Sequence, residues 1–148
     1  MQVLKKAWAA AAVAMLGLPL AGCTSHDGHA SHAEHPSEVE HIDGSELSRV
    51  TLTERAIERI DLRTDTVREE SVGGVSRRVV PYSSIIYDPT GGTWVYTSPK
   101  ARTFVRARID VDRIEGDRVY LKDGPPVGTV VASVGVAELY GTEYEVGH

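Results

Sequence analysis

Thr93-Trp94-Val95-Tyr96-Thr97 and, a short turn later, Phe104-Val105-Arg106-Ala107-Arg108-Ile109-Asp110-Val111-Asp112-Arg113 are the stretches that decide the fold. The first is dense in β-branched and aromatic side chains, which suit a pleated, half-buried strand. The second alternates. Val105, Ala107, Ile109 and Val111 point one way, and Arg106, Arg108 and Asp110 the other. A period of two puts one face of a strand on a core and the other toward solvent. Trp94 and Tyr96 share a face and read as core. Arg102, Arg106, Arg108, Arg113 and Arg118 are interleaved with acids. They read as a solvated sheet face, with a docking face for a partner as the alternative.

The same texture extends in both directions. Val79 to Tyr87 reads as a strand whose Pro81 implies an edge or a bulge. Asp88-Pro89-Thr90-Gly91-Gly92 is a turn. Ile114-Glu115-Gly116-Asp117 turns the chain into a strand over Arg118 to Leu121. Lys122 to Gly128 is a loop, Thr129 to Val134 a last strand, and Val136 to Tyr140 one helical turn. Upstream, Val50 to Thr53 suits a strand. Thr53 then caps a short helix, Glu54 to Ile60, with Ala56, Ile57 and Ile60 on one face. Leu62, Thr64 and Thr66 alternate again, and Ser71 to Ser76, around Gly73-Gly74, reads as a loop. The expected fold is mainly β: a small barrel or sandwich over residues 48–141 with one short helix, followed by a tail, 142–148.

Before residue 48 the composition changes. Residues 23–47 are small and polar, with one proline and few large apolar side chains. They bury too little to offset ordering entropy, and read as a His-rich, disordered tether. About 25 such residues span roughly 25–30 Å end to end. Ahead of them, Lys5 and Lys6 precede an apolar run from Ala7 to Leu20 and then Leu20-Ala21-Gly22-Cys23. A basic start, a short apolar stretch and small residues before a cut form a secretory signal, and the run is too short for a bilayer span. The Leu-Ala-Gly-Cys ending resembles the lipobox of bacterial lipoproteins. That resemblance implies cleavage after residue 22 and a Cys23 thiol carrying acyl chains such as palmitate. The protein would then be lipid-anchored on the extracytoplasmic face of a cell membrane.

Cys23 is the only cysteine of the 148 residues, so no disulfide and no cysteine metal site follow. Loss of residues 1–22 removes Lys5 and Lys6 and no acid, taking the net charge from −5 to −7. An acidic chain of this kind is repelled by nucleic acid. His26, His29, His32 and His35 recur every third residue, and His41 follows, with Asp27, Glu34, Glu38 and Glu40 among them. Imidazole with carboxylate suits Cu(II), Zn(II) or Ni(II). The five histidines are candidate metal ligands, Cu(II) or Zn(II) foremost; a soluble tether rich in histidine is the plainer reading. There is no nucleophile elbow, P-loop or His-Glu-x-x-His sequence. Asp110, Asp112, Glu115 and Asp117 lack the ligand order of a calcium loop. No catalytic residue is identified, and the chain reads as a non-enzyme.

The order of its motifs resembles one family. Val79-Val80-Pro81-Tyr82-Ser83-Ser84-Ile85-Ile86, Gly92-Thr93-Trp94-Val95-Tyr96, Phe104-Val105-Arg106, Lys122-Asp123-Gly124, Gly128-Thr129-Val130-Val131 and Gly135-Val136-Ala137-Glu138-Leu139 stand in sequence. Together they look like the C-terminal region of periplasmic adaptor proteins, the membrane fusion proteins of RND-type efflux pumps. Val50 to Glu54 and Ile60 to Thr64 resemble the strand–helix–strand that opens many adaptors, especially heavy-metal ones. Pro125-Pro126 departs from the family, which often has leucine there. The resemblance implies a membrane-proximal β domain in which the first and last segments meet. The lipoyl-like domain and helical hairpin that adaptors carry between them are absent, with Arg68 to Arg77 bridging the gap. The implied role is an accessory or reduced adaptor beside an inner-membrane or cytoplasmic-membrane transporter of the efflux type, with metal ions as a candidate cargo. The alternative is a free-standing metal-binding lipoprotein that works through its His-rich tether.

Overall fold

The computed structural model describes residues 35–145, and they form two antiparallel sheets and two helices. In chain order these are β1 (Ser37–His41), β2 (Ser48–Leu52), α1 (Glu54–Arg59), β3 (Arg63–Thr66), β4 (Arg68–Val72), β5 (Val75–Pro81), β6 (Ile86–Tyr87), β7 (Thr93–Lys100), β8 (Thr103–Arg108), β9 (Asp110–Glu115), β10 (Arg118–Asp123), β11 (Val130–Val134) and α2 (Val136–Glu145). The larger sheet runs β1-β2-β8-β7-β11-β3, with β6 paired to β7; the smaller runs β4-β5-β10-β9. The fold is mainly β and sandwich-like, as the alternation requires.

The larger sheet is the middle layer. Its alternating side chains feed two separate cores. Val50, Leu52, Tyr96, Phe104 and Ala132 meet Ala56 of α1 and Val136 and Leu139 of α2 on one face. On the other, Val95 and Val131 meet Val80, Val119 and Leu121 of the smaller sheet. Tyr96 and Val95 are both fully buried, on opposite faces of one strand.

Two buried residues carry the chain from one sheet to the other. Val67 joins β3 to β4, and Ile109 joins β8 to β9. A strand end buried at such a corner must satisfy its backbone. The Val67 N–H donates to Thr129 O at 2.9 Å, and its carbonyl accepts from Gly128 N–H at 2.9 Å. The Ile109 N–H donates to Thr93 O at 3.0 Å. The run from Phe104 to Arg113, read as one strand, is therefore two strands in two sheets. The alternation survived the corner because Ile109 and Val111 stay on the same core as Ala107.

Other boundaries also differ from the sequence reading. Ser37–His41, placed in the tether, forms the edge strand of the larger sheet and pairs with β2 from Ser37↔Leu52 to His41↔Ser48. Its signal is a single inward residue, Val39, packed on the helical core. Ser71 to Ser76 is not a loop but the tip of the β4–β5 hairpin, closed by Gly73 at φ 59° and Gly74 at φ 81°. Positive φ at both central residues is the two-residue hairpin turn that follows the strand twist, and Gly-Gly permits it. Pro81 ends β5 rather than interrupting it, and a single 3₁₀ turn over Tyr82–Ser84 leads to β6. Thr53 does cap α1: its hydroxyl accepts from the Ala56 N–H at 3.2 Å. The expected single turn at Val136 is a ten-residue helix that takes in most of the expected tail.

Candidate functional site

Cys23, His26, His29 and His32 lie outside the described residues. His35 and His41 do not come together: β1 lies between them, and its five residues rise about 13 Å from end to end. Both are exposed. His35 lines an open groove of about 680 Å³ with Ser37, Glu38, Val39, Thr51, Leu52, Thr53 and Arg102. Among the described residues no group of three or more His, Cys, Asp or Glu side chains is placed to hold a metal ion. No described helix is long and apolar enough to cross a membrane.

The densest polar chemistry lies under α2, where the sequence marked a solvated face. Tyr96 on β7 stands opposite Arg106 on β8, and Trp94 opposite Arg108. The face they share is the one α2 covers. Spacing along α2 puts Val136, Leu139, Tyr140 and Glu143 toward the sheet, a helical stripe of period 3.6 with an acid at its last position. Arg106 is 5% exposed and Glu143 7%. Glu143 Oε2 accepts from the Tyr96 hydroxyl at 2.6 Å and from Arg106 Nε at 2.8 Å. Burial raises the Tyr96 hydroxyl pKa far above its ordinary value, and the bond to Glu143 adds to it. The phenol therefore stays a donor. Burial works against the Arg106 charge, but the bond to Glu143 and its negative charge outweigh it and hold the guanidinium pKa up.

Aromatic rings complete the enclosure. The Arg106 guanidinium carbon lies 4.9 Å from the Trp94 ring centroid and 5.3 Å from that of Tyr144. Tyr140 and Tyr144 have ring centroids 4.7 Å apart. Trp94 is fixed from behind: its indole N–H donates to Asp88 Oδ2 at 2.8 Å. Asp88 Oδ1 accepts from the Thr90 hydroxyl at 2.7 Å and from the Thr90 and Gly92 N–H groups, each at 2.8 Å. These bonds, Thr90 first and Trp94 next, hold the Asp88 carboxyl well below the usual carboxylate range. Glycine at 92 suits this approach, because a Cβ there would clash with Asp88 Oδ2.

Chemically, this centre fastens and orients. It holds a charge pair in a buried interface and presents Trp94 and Arg108 beside it. None of its groups is an activated nucleophile paired with a base. Sequence alternation found Trp94 and Tyr96 but missed the role of Arg106, because the acid that neutralises it lies 37 residues away on α2. The acidic residue in the Val136, Leu139, Tyr140, Glu143 stripe was the available signal.

These features define a two-sheet β domain whose C-terminal helix is fastened to the central sheet by a buried ion pair. No protein-family model, curated protein or solved structure matches the chain.

Proposed function

We propose that this chain is a lipid-anchored, extracytoplasmic accessory or reduced adaptor domain that works beside an efflux-type membrane transporter. The anchor is Cys23 in Leu20-Ala21-Gly22-Cys23. The observation that carries the adaptor part is the pairing of N-terminal with C-terminal strands in the larger sheet. β2 pairs with β8 and β3 pairs with β11, so strands flanking α1 join strands from the C-terminal half. This is the arrangement the resemblance implies for the membrane-proximal domain. The β4–β5 hairpin, closed by Gly73-Gly74, takes the place of the domains an adaptor carries between those halves. Among the described residues no helical hairpin stands between those halves, and in this reading the domain acts on the transporter rather than on an outer-membrane channel.

The test is purification of the tagged full chain from detergent-extracted membranes, with a fatty-acid analogue supplied to the cells. The expected result is a labelled protein that brings down a polytopic transporter in fixed ratio. A Cys23→Ser variant should lose the label and move to the soluble fraction. Labelled protein that recovers no transporter would overturn the adaptor role. Unlabelled, soluble wild-type protein would overturn the anchor.

The regular spacing of His26, His29, His32 and His35 favours a second reading, a free-standing metal-binding lipoprotein. Titration with Cu(II) or Zn(II) should then show binding that weakens below about pH 6, where protons compete for imidazole. Removal of residues 24–35 should abolish it and leave the folded domain intact, because it keeps β1 from Ser37 and also Pro36, whose carbonyl accepts from the Thr53 N–H at 3.0 Å. Metal binding by the shortened chain would refute this reading.

A further inference from the structure

Two exposed arginines of this chain lie over aromatic rings, and they differ in one respect. The Arg113 guanidinium is 5.0 Å from the Tyr120 ring centroid and pairs with Glu115 at 3.1 Å. The Arg108 guanidinium is 5.6 Å from the Trp94 ring centroid and has no acidic partner among the described residues. Its neighbour Arg106 uses the nearest buried acid, Glu143. Asp88 is held by Trp94, Thr90 and Gly92. Beside this pair stands Tyr144, 47% exposed, with its ring near Arg106.

We infer that Trp94, Arg108 and Tyr144 form a docking surface for an acidic segment of a partner protein, with a carboxylate seated on the Arg108 guanidinium. This deepens the adaptor reading and rests on it, the partner being the extracytoplasmic part of the transporter. The surface has the makings of an interface centre. Tryptophan, tyrosine and arginine are enriched at such centres, the two aromatic side chains offering large area with few rotors and arginine a planar fork of donors. Here the rotors are already restrained. Trp94 is fixed through its indole nitrogen, and cation–π attraction draws Arg108 toward Trp94. A guanidinium beside a ring keeps its N–H groups free as a fork that fits a carboxylate. Less ordering entropy is then lost on contact. The net charge, −7 after loss of residues 1–22, opposes an acidic partner at long range, so recognition depends on this short-range fork.

The chain has two tryptophans, and a full-length Trp8→Phe protein leaves Trp94 as the sole tryptophan, excited selectively above the tyrosine absorption. Titration with a tetraglutamate peptide at low salt should change Trp94 emission saturably, and a tetralysine peptide should not. Arg108→Gln should weaken the response at least about ten-fold, the loss expected of one hydrogen bond to a charged group. Arg113→Gln should leave it unchanged, because that arginine already has its acid. No saturable response, an equal response in Arg108→Gln, or an equal response to tetralysine would overturn the proposal. Near-ultraviolet circular dichroism checks that Arg108→Gln keeps its fold, which its exposed position leads us to expect. A failed peptide titration with transporter recovery intact would remove the surface and spare the adaptor reading. A normal titration with no transporter recovered would do the reverse.

Discussion

At the scale of single residues, the buried charge decides most. Arg106 and Glu143 neutralise each other inside an otherwise apolar contact, and Tyr96 uses the same carboxylate oxygen. Such a pair adds little stability over a well-packed apolar one, but losing one member leaves a buried charge alone. Glu143→Leu should therefore cost about 3–5 kcal/mol in urea unfolding. The triple variant Tyr96→Phe, Arg106→Met, Glu143→Leu orphans no polar group and should recover most of that loss. If the triple is as unstable as the single, the pair is not an isolated unit. Asp88 gives a pH signature. Its folded pKa is depressed, so its contribution is fully present above the unfolded value near 3.9 and is lost as pH falls through the folded value. Asp88→Asn should thus be less stable than the parent at pH 7, and the gap should narrow below about pH 3. A gap that does not change with pH would show that the carboxylate charge is not what organises the turn. Only part of this was legible in the sequence. The Asp88-to-Gly92 turn declares itself locally, whereas Arg106 looks solvated until the helix that covers it is known.

At the scale of elements, what was legible followed from local signals. The Thr53 cap, the apolar face of α1, and strands β7, β8, β10 and β11 each show a period or a turn residue within a few positions. What was missed depends on partners. β1 carries Glu38, Glu40 and His41 around one inward Val39, and it is a strand because β2 offers five pairing positions. The acids on its open edge suit an edge strand, since charge there discourages pairing with another chain. The helix α2 continues past Tyr140 because Glu143 finds Arg106 below it. Gly135, at φ 76°, lets the chain turn from β11 into that helix. A Cβ there would come within 3.3 Å of Ile60 and of the Leu62 backbone, so the start of α2 is packed tightly against the end of α1.

At the scale of the whole molecule, the central sheet cannot be assembled from either half of the chain. β2 covers one flank of β8, β3 covers one flank of β11, and α1 closes part of the core that contains Tyr96 and Phe104. A chain of residues 77–148 would keep β7, β8 and β11 but lose both flanking strands. Two long edges would then stand open in an apolar sheet, which is an aggregation template. The smaller sheet would lose β4 as well, and Val67 would no longer fill the core between the sheets. We therefore expect 77–148 to be insoluble or without cooperative unfolding, and 35–148 to be soluble, mainly β and cooperative. Addition of a separate peptide, residues 35–76, should restore folding in trans, because its contacts are pairings and side-chain packing rather than chain continuity. Circular dichroism with urea unfolding checks all three. A fragment 77–148 that unfolds cooperatively on its own would show that the N-terminal strands are decoration on a self-sufficient sheet, and the joined-halves basis for the adaptor reading would go with it.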